Sequence, residues 1–380
     1  MNFSNAALAA LAVLILASVL ASHAGTTSNA AGGTDAINVT NDLLLIYNKN
    51  SAASTALKDY YLAHRPMVAG ANVLGIACDT GEATPLTNYT TQIAAPVLAW
   101  LADHPAKRPQ YVVLFYDIPT RLTSYPSGYG SVGYNLHNAA PGWHPFVNNL
   151  NAGSLADCKA YVDKLARFGA KFSPGRLVIS PGAGGYGNTN FILDNVRHGP
   201  GSGDVDYTGC GFVLAKAIPA ITNADPGAAV TYRDGIETSN APFLPHITTA
   251  SNVAGYACWG GHSNWGGNLN DNGYSVDGAV AWTGNSGWWI IRTVESFNGV
   301  RGGYGQGNFT QWFSPTAFGG ANYANTPVGA ATSTEEPGVE ANDNKAYFGL
   351  WAAGGNFAEC AWGSRNTPNF QAVGDPFVTR

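Results

Sequence analysis

The chain has 380 residues, of which 11% are charged, and a formal net charge of −5. No basic stripe runs through it, which argues against nucleic acid as a partner, and it is long enough to bury a substantial core without disulfide staples. The 47 glycines and 12% aromatics describe a turn-rich surface, a composition associated with contacts to cell-surface protein or glycan.

Ala6 to Leu20 is an apolar run, and Ser22-His23-Ala24 is a small-residue cleavage site. Residues 1–24 therefore read as a secretory signal, although no Lys or Arg precedes the run. The run is too short for a comfortable bilayer span. The expected product is a secreted or cell-envelope protein with no stable membrane span after cleavage; an uncleaved anchor is the alternative. Residues 25–40 are small and polar and read as a flexible lead-in, followed by a single α/β domain over 41–380.

Continuous apolar runs at 42–48, 72–77, 111–116 and 176–180 predict buried parallel strands. Helical periodicity lies between them, from Ser54 to His64, Tyr89 to Asp103 and Leu155 to Phe168. This β-α-β-α-β order predicts a right-handed, mainly parallel sheet of five to seven strands with helices on both faces. Stretches 120–153, 181–203 and 300–345 are rich in Gly, Tyr, Asn and Pro and read as long loops. Gly182-Ala183-Gly184-Gly185 lacks the Lys-Ser/Thr of a phosphate-binding loop, so no cofactor is implied. Tyr207 to Ile221 reads as a helix, Val230 to Tyr232 as a short strand, and Ala346 to Trp362 as one helix containing Glu359.

Val253 to Gly299 holds the candidate chemistry. Strands at 253–259 and 289–294 each stop at a glycine-containing turn, the first carrying His262 and the second Glu295 and Ser296. Residues just past the carboxyl ends of strands form the ligand crevice of open α/β sheets. His262 is thus a candidate general base and Ser296 a candidate nucleophile, with Glu295, Asp271 or Asp277 available to orient the imidazole. The alternative is a loop histidine and a turn-capping serine. Cys258 is a second candidate nucleophile, although a mid-strand position favours a core role. The five cysteines, Cys78, Cys158, Cys210, Cys258 and Cys360, match no zinc-site spacing, so no metal is implied; an odd count leaves at least one thiol unpaired.

Several landmarks in order resemble an uncharacterised family of secreted bacterial proteins associated with exosortase-type sorting genomes. They are Leu-Leu-Ile-Tyr-Asn at 44–48, Tyr-Tyr-Leu-Ala-His-Arg at 60–65, Ile93 to Leu101, Gly255 to Gly260, Thr293 to Phe297, Glu336-Pro337, Ala358-Glu359 and Gly374-Asp375-Pro376. That family is distantly similar to gingipain-type cysteine peptidases, which implies a caspase-like three-layer α/β sandwich. The resemblance places Gly261-His262 at the catalytic histidine and Ser296 where the nucleophilic cysteine would stand. The missing cysteine, the glycine-rich loops and the aromatics favour a catalytically silent binding or assembly role. The alternative is a peptidase-like hydrolase using His262 and Ser296.

Overall fold

The computed structural model describes residues 37–123, 130–168, 171–173, 176–178, 188–195, 214–234, 247–259, 280–294, 296–301, 307–336 and 342–380. The signal, the lead-in up to residue 36 and Gly182 to Gly185 lie outside them.

Ten strands form one sheet: β1 (Leu43–Asn48), β2 (Asn72–Ile76), β3 (Tyr111–Phe115), β4 (Phe146–Leu150), β5 (Asn190–Asn195), β6 (Ala229–Asp234), β7 (Val253–Trp259), β8 (Ile290–Thr293), β9 (Gly329–Ser333) and β10 (Phe370–Gly374). Their order across the sheet is β6-β5-β7-β8-β9-β10-β4-β3-β1-β2. Strands β6-β5-β7-β8-β9 are parallel to one another, as are β4-β3-β1-β2, and β10 runs antiparallel to β9. Helices α1 (Ala52–His64), α2 (Ala95–Asp103), α3 (Val132–His137), α4 (Leu155–Phe168), α5 (Ala217–Ala224), α6 (Asn344–Ala352) and α7 (Phe357–Gly363) surround it. The mainly parallel α/β architecture is as expected, but the sheet is wider than five to seven strands.

The order contains a repeat of topology that the sequence pattern does not show. The four strands β2-β1-β3-β4 have the same arrangement as β6-β5-β7-β8: in each, the first strand sits between the second and the third. Strands β9 and β10 lie between the two modules and run antiparallel to each other. The turns after β3, β4, β8 and β9 meet at one edge of the sheet, where Arg301 reaches Asp117 and Asn151 and Arg121 reaches Glu335. Each module has a point where the connection changes side, between β1 and β3 and between β5 and β7, the places where such sheets bind ligands.

Five expectations need correction. The stretch 120–153 contains α3 and β4, so it is not one long loop. Its sequence hides the strand because Asn148 and Asn149 interrupt the apolar run. Both are buried, their amides donating to Gly374 O at 3.2 Å and Ala372 O at 3.4 Å. The stretches 181–203 and 300–345 likewise contain β5 and β9. In β9 Phe357 lies against Gly329, where an added Cβ would stand 2.4 Å from its ring. Residues 176–178 pair antiparallel with 171–173 in a separate hairpin and do not join the main sheet. The helix expected over 346–362 is split into α6 and α7. Gly354 takes a left-handed φ of 82° after α6, and Asn356 then caps α7. Glu359 closes that capping box, its Oε2 accepting from Asn356 N at 3.1 Å. Its role is to start a helix.

Two of the landmark motifs meet in the core. Asp375 is 0% exposed, and its Oδ2 accepts from Arg65 Nη1 and from the Tyr61 hydroxyl, each at 2.7 Å. Its Oδ1 accepts from Phe377 N at 2.9 Å, which makes the turn after β10. Burial, followed by the Asp375 charge, holds the Tyr61 hydroxyl well above its ordinary pKa, so it stays a donor.

Candidate functional site

The parallel register of β7 with β8 pairs Cys258 with Thr293, and Val294 N donates to Cys258 O at 2.9 Å. The chain leaving β7 towards residue 262 and the chain leaving β8 towards Ser296 thus depart from the same sheet edge. His262, Glu295, Asp271 and Asp277 themselves lie outside the described residues. Cys258 is fully buried in β7.

Ser296 is half-buried at the start of a tight turn. Phe297, next in the chain, has φ 55°, the left-handed region that costs an L-residue about 1–2 kcal/mol. Three contacts hold the turn: Phe297 N donates to Glu335 O at 3.3 Å, Gly299 N donates to Ser333 O at 2.8 Å, and Asn298 Oδ1 accepts from Ser333 N at 2.7 Å. Glycine is required at 299, since a Cβ there would stand 2.6 Å from Thr332 Oγ1. The turn directs the Ser296 hydroxyl to the exposed Glu336, and it donates a hydrogen bond to Glu336 Oε2. A carboxylate at this serine was not expected from the sequence, where Glu336 was only a landmark.

From Ser296 a strip of polar contacts runs back to the first module. Glu335, adjacent to Glu336, accepts from Arg121 Nη1 at 3.1 Å. Arg121 N and Thr120 N donate to Glu82 O, at 3.4 and 2.9 Å. Glu82 accepts from the Thr120 hydroxyl at 2.6 Å and stands 3.5 Å from Arg301 Nε. Arg301 also contacts Asp117 and Asn151, just past the ends of β3 and β4. Separations of 40, 214 and 150 residues for the pairs Ser296–Glu336, Arg121–Glu335 and Arg301–Asn151 put this strip beyond any spacing motif.

The described thiols are poor nucleophiles. Cys78, Cys158, Cys258 and Cys360 are all buried. Burial first, then the neighbouring Asp79, pushes the Cys78 thiol up to about 12, and burial likewise raises Cys158 and Cys360. No group of three His, Cys, Asp or Glu suited to a metal occurs among the described residues.

No family model matches the chain, and no curated protein matches its sequence. Among solved structures, one described as "Structure of Protease" overlays with a TM-score of 0.46 at 13% identity, covering 91% of this chain and 79% of the other. An ABC transporter solute-binding protein from Agrobacterium vitis, bound with alpha-D-tagatopyranose, overlays with a TM-score of 0.18 at 12% identity, covering 89% and 98%. Likeness at this level decides nothing about activity. The chain is accordingly described by its own architecture, a mainly parallel α/β sheet with Ser296 at one carboxyl edge.

Proposed function

We propose that this is a secreted or envelope protein with a caspase-like α/β fold, catalytically silent, that serves in binding or assembly at the cell surface. The observation that carries this reading is the hydrogen bond from Ser296 to Glu336. A serine nucleophile needs its proton taken by a base matched to the working pH, and a carboxylate is by class a weaker base than an imidazole. The position where the resemblance expects a thiolate thus holds a hydroxyl engaged with a carboxylate. The burial of the four described cysteines leaves none of them placed to replace it.

A peptidase-like hydrolase is the second reading, favoured by the shared edge at which the chains towards His262 and Ser296 depart. In it His262 is the general base and Ser296 the nucleophile, with Glu295 or Glu336 orienting the imidazole. Turnover of a peptide and ester library by wild type, His262→Ala and Ser296→Ala separates the two. The silent reading expects no wild-type turnover above that of the variants. Wild-type turnover abolished by each single change establishes the hydrolase, because members of such a unit fail together.

A further inference from the structure

Arg301 belongs to the second module's turn, yet its guanidinium is bound at the crevice of the first. Asn151 Oδ1 accepts from its Nη2 at 2.6 Å and from its Nε at 3.1 Å, and Asp117 Oδ1 accepts from Nη1 at 3.2 Å. Glu82 Oε2 lies 3.5 Å from Nε, and the guanidinium carbon stands 3.9 Å from the centre of the Tyr116 ring. An aromatic face, two carboxylates and an amide oxygen accepting from two nitrogens make a set that suits a planar, forked cation better than a point charge.

The receptor side of this cage is held independently of Arg301. Asp117 has φ 64°, unusual for a residue with a side chain, and its other carboxylate oxygen accepts from the Ser51 hydroxyl at 2.7 Å. The Asn48 amide at the end of β1 donates to the carbonyls of Asp117, Asp79 and Cys78 at 2.9, 3.0 and 3.2 Å. The ends of β1, β2 and β3 are thereby tied around the position where the first module changes side. Strain retained at a crevice points to a site built for binding.

We infer that the ends of β3 and β4 form a guanidinium-binding cage, and that Arg301 is its resident occupant, by which the first module grips the turn carrying Ser296. Arg301 lies five positions after Ser296 in the same segment, and the Glu82–Arg121–Glu335 contacts reach that turn from its other side. Arg301 is therefore a positioning residue, and its action does not depend on whether Ser296 hydrolyses anything.

The test uses the full chain and its Arg301→Ala variant, with ethylguanidinium as the probe and ethylammonium as the control, read by calorimetry. The variant should bind ethylguanidinium at least ~10-fold more tightly than ethylammonium, because only the former supplies the fork. Wild type, its cage already filled, should bind neither, and Arg301→Ala with Asp117→Asn should lose the preference. Hydrogen exchange at the Phe297 and Gly299 amides should accelerate by ~10-fold in Arg301→Ala and stay fast when ethylguanidinium is bound, since the untethered probe fills the cage without holding the turn. A folded Arg301→Ala that shows no preference, or whose exchange matches wild type, overturns the inference. Should that variant not fold, Arg301→Lys carries the test. It keeps the charge without the fork, and exchange at the same amides should again accelerate; wild-type exchange rates and melting temperature overturn the inference.

Discussion

Asp375→Asn should destabilise this protein more than changes at the Ser296 edge. The side chain is 0% exposed, and its partner Arg65 is 1% exposed. One carboxylate oxygen accepts from both Arg65 and the Tyr61 hydroxyl. Asparagine can keep its Oδ1 on Phe377 N, but its Nδ2 then faces two donors. The guanidinium remains buried without its counter-charge, a loss of about 3–5 kcal/mol. At roughly 2–4 °C for each kcal/mol in a large domain, the melting temperature should fall by about 10 °C. Differential scanning calorimetry and urea unfolding at neutral pH both read this. Arg65→Met combined with Asp375→Asn should recover part of the loss, because no charge is then stranded. An Asp375→Asn protein within about 1 kcal/mol of wild type would refute the buried-pair reasoning and reopen a role for this motif outside the scaffold.

Burial above all holds His137 down at about 4; its bond to Pro145 O opposes this, and the smaller effects of the Arg365 and His144 charges add to the lowering. The unfolded state therefore binds more protons between pH 6.5 and 4. Stability should fall as pH drops through that window, and His137→Gln should remove that component in urea titrations at several pH values. Lys164, 2% exposed and bonded to Thr326, has a pKa held well below its ordinary value by burial first and the nearby Arg167 charge second. Stability should rise with pH towards about 10.4, and Lys164→Met should flatten the rise. The four described cysteines should resist a thiol reagent in the native state and react only on unfolding, as counted by intact mass. Gly299→Ala should destabilise the Ser296 turn, since the added methyl meets Thr332 Oγ1, and faster exchange at the Gln371–Thr332 strand pair would accompany it.

The sequence made legible the strands whose residues are apolar throughout. Leu43 to Ile46 and Tyr111 to Phe115 are buried on both sides of the sheet and read as unbroken apolar runs. Strands that meet their polar needs through partners far along the chain were hidden. In β4 the two asparagine side chains donate to carbonyls of β10, more than two hundred residues away. At Gly329 in β9 an aromatic ring from α7 leaves no room for a side chain. The same division holds at the candidate site. The edge bearing Ser296 follows from the apolar pattern of β7 and β8, whereas Glu336, Arg121 and Arg301 arrive through contacts between the two modules. No local periodicity encodes those contacts or the topological repeat.

The central claim is that the Ser296 hydroxyl, bonded to Glu336, is not an activated nucleophile. The most direct measurement is intact mass and peptide mapping after treatment with a serine-reactive phosphonate, with Ser296→Ala as the control. The account predicts no adduct on Ser296 in the wild-type protein. A stoichiometric adduct on Ser296 that disappears in His262→Ala would contradict it.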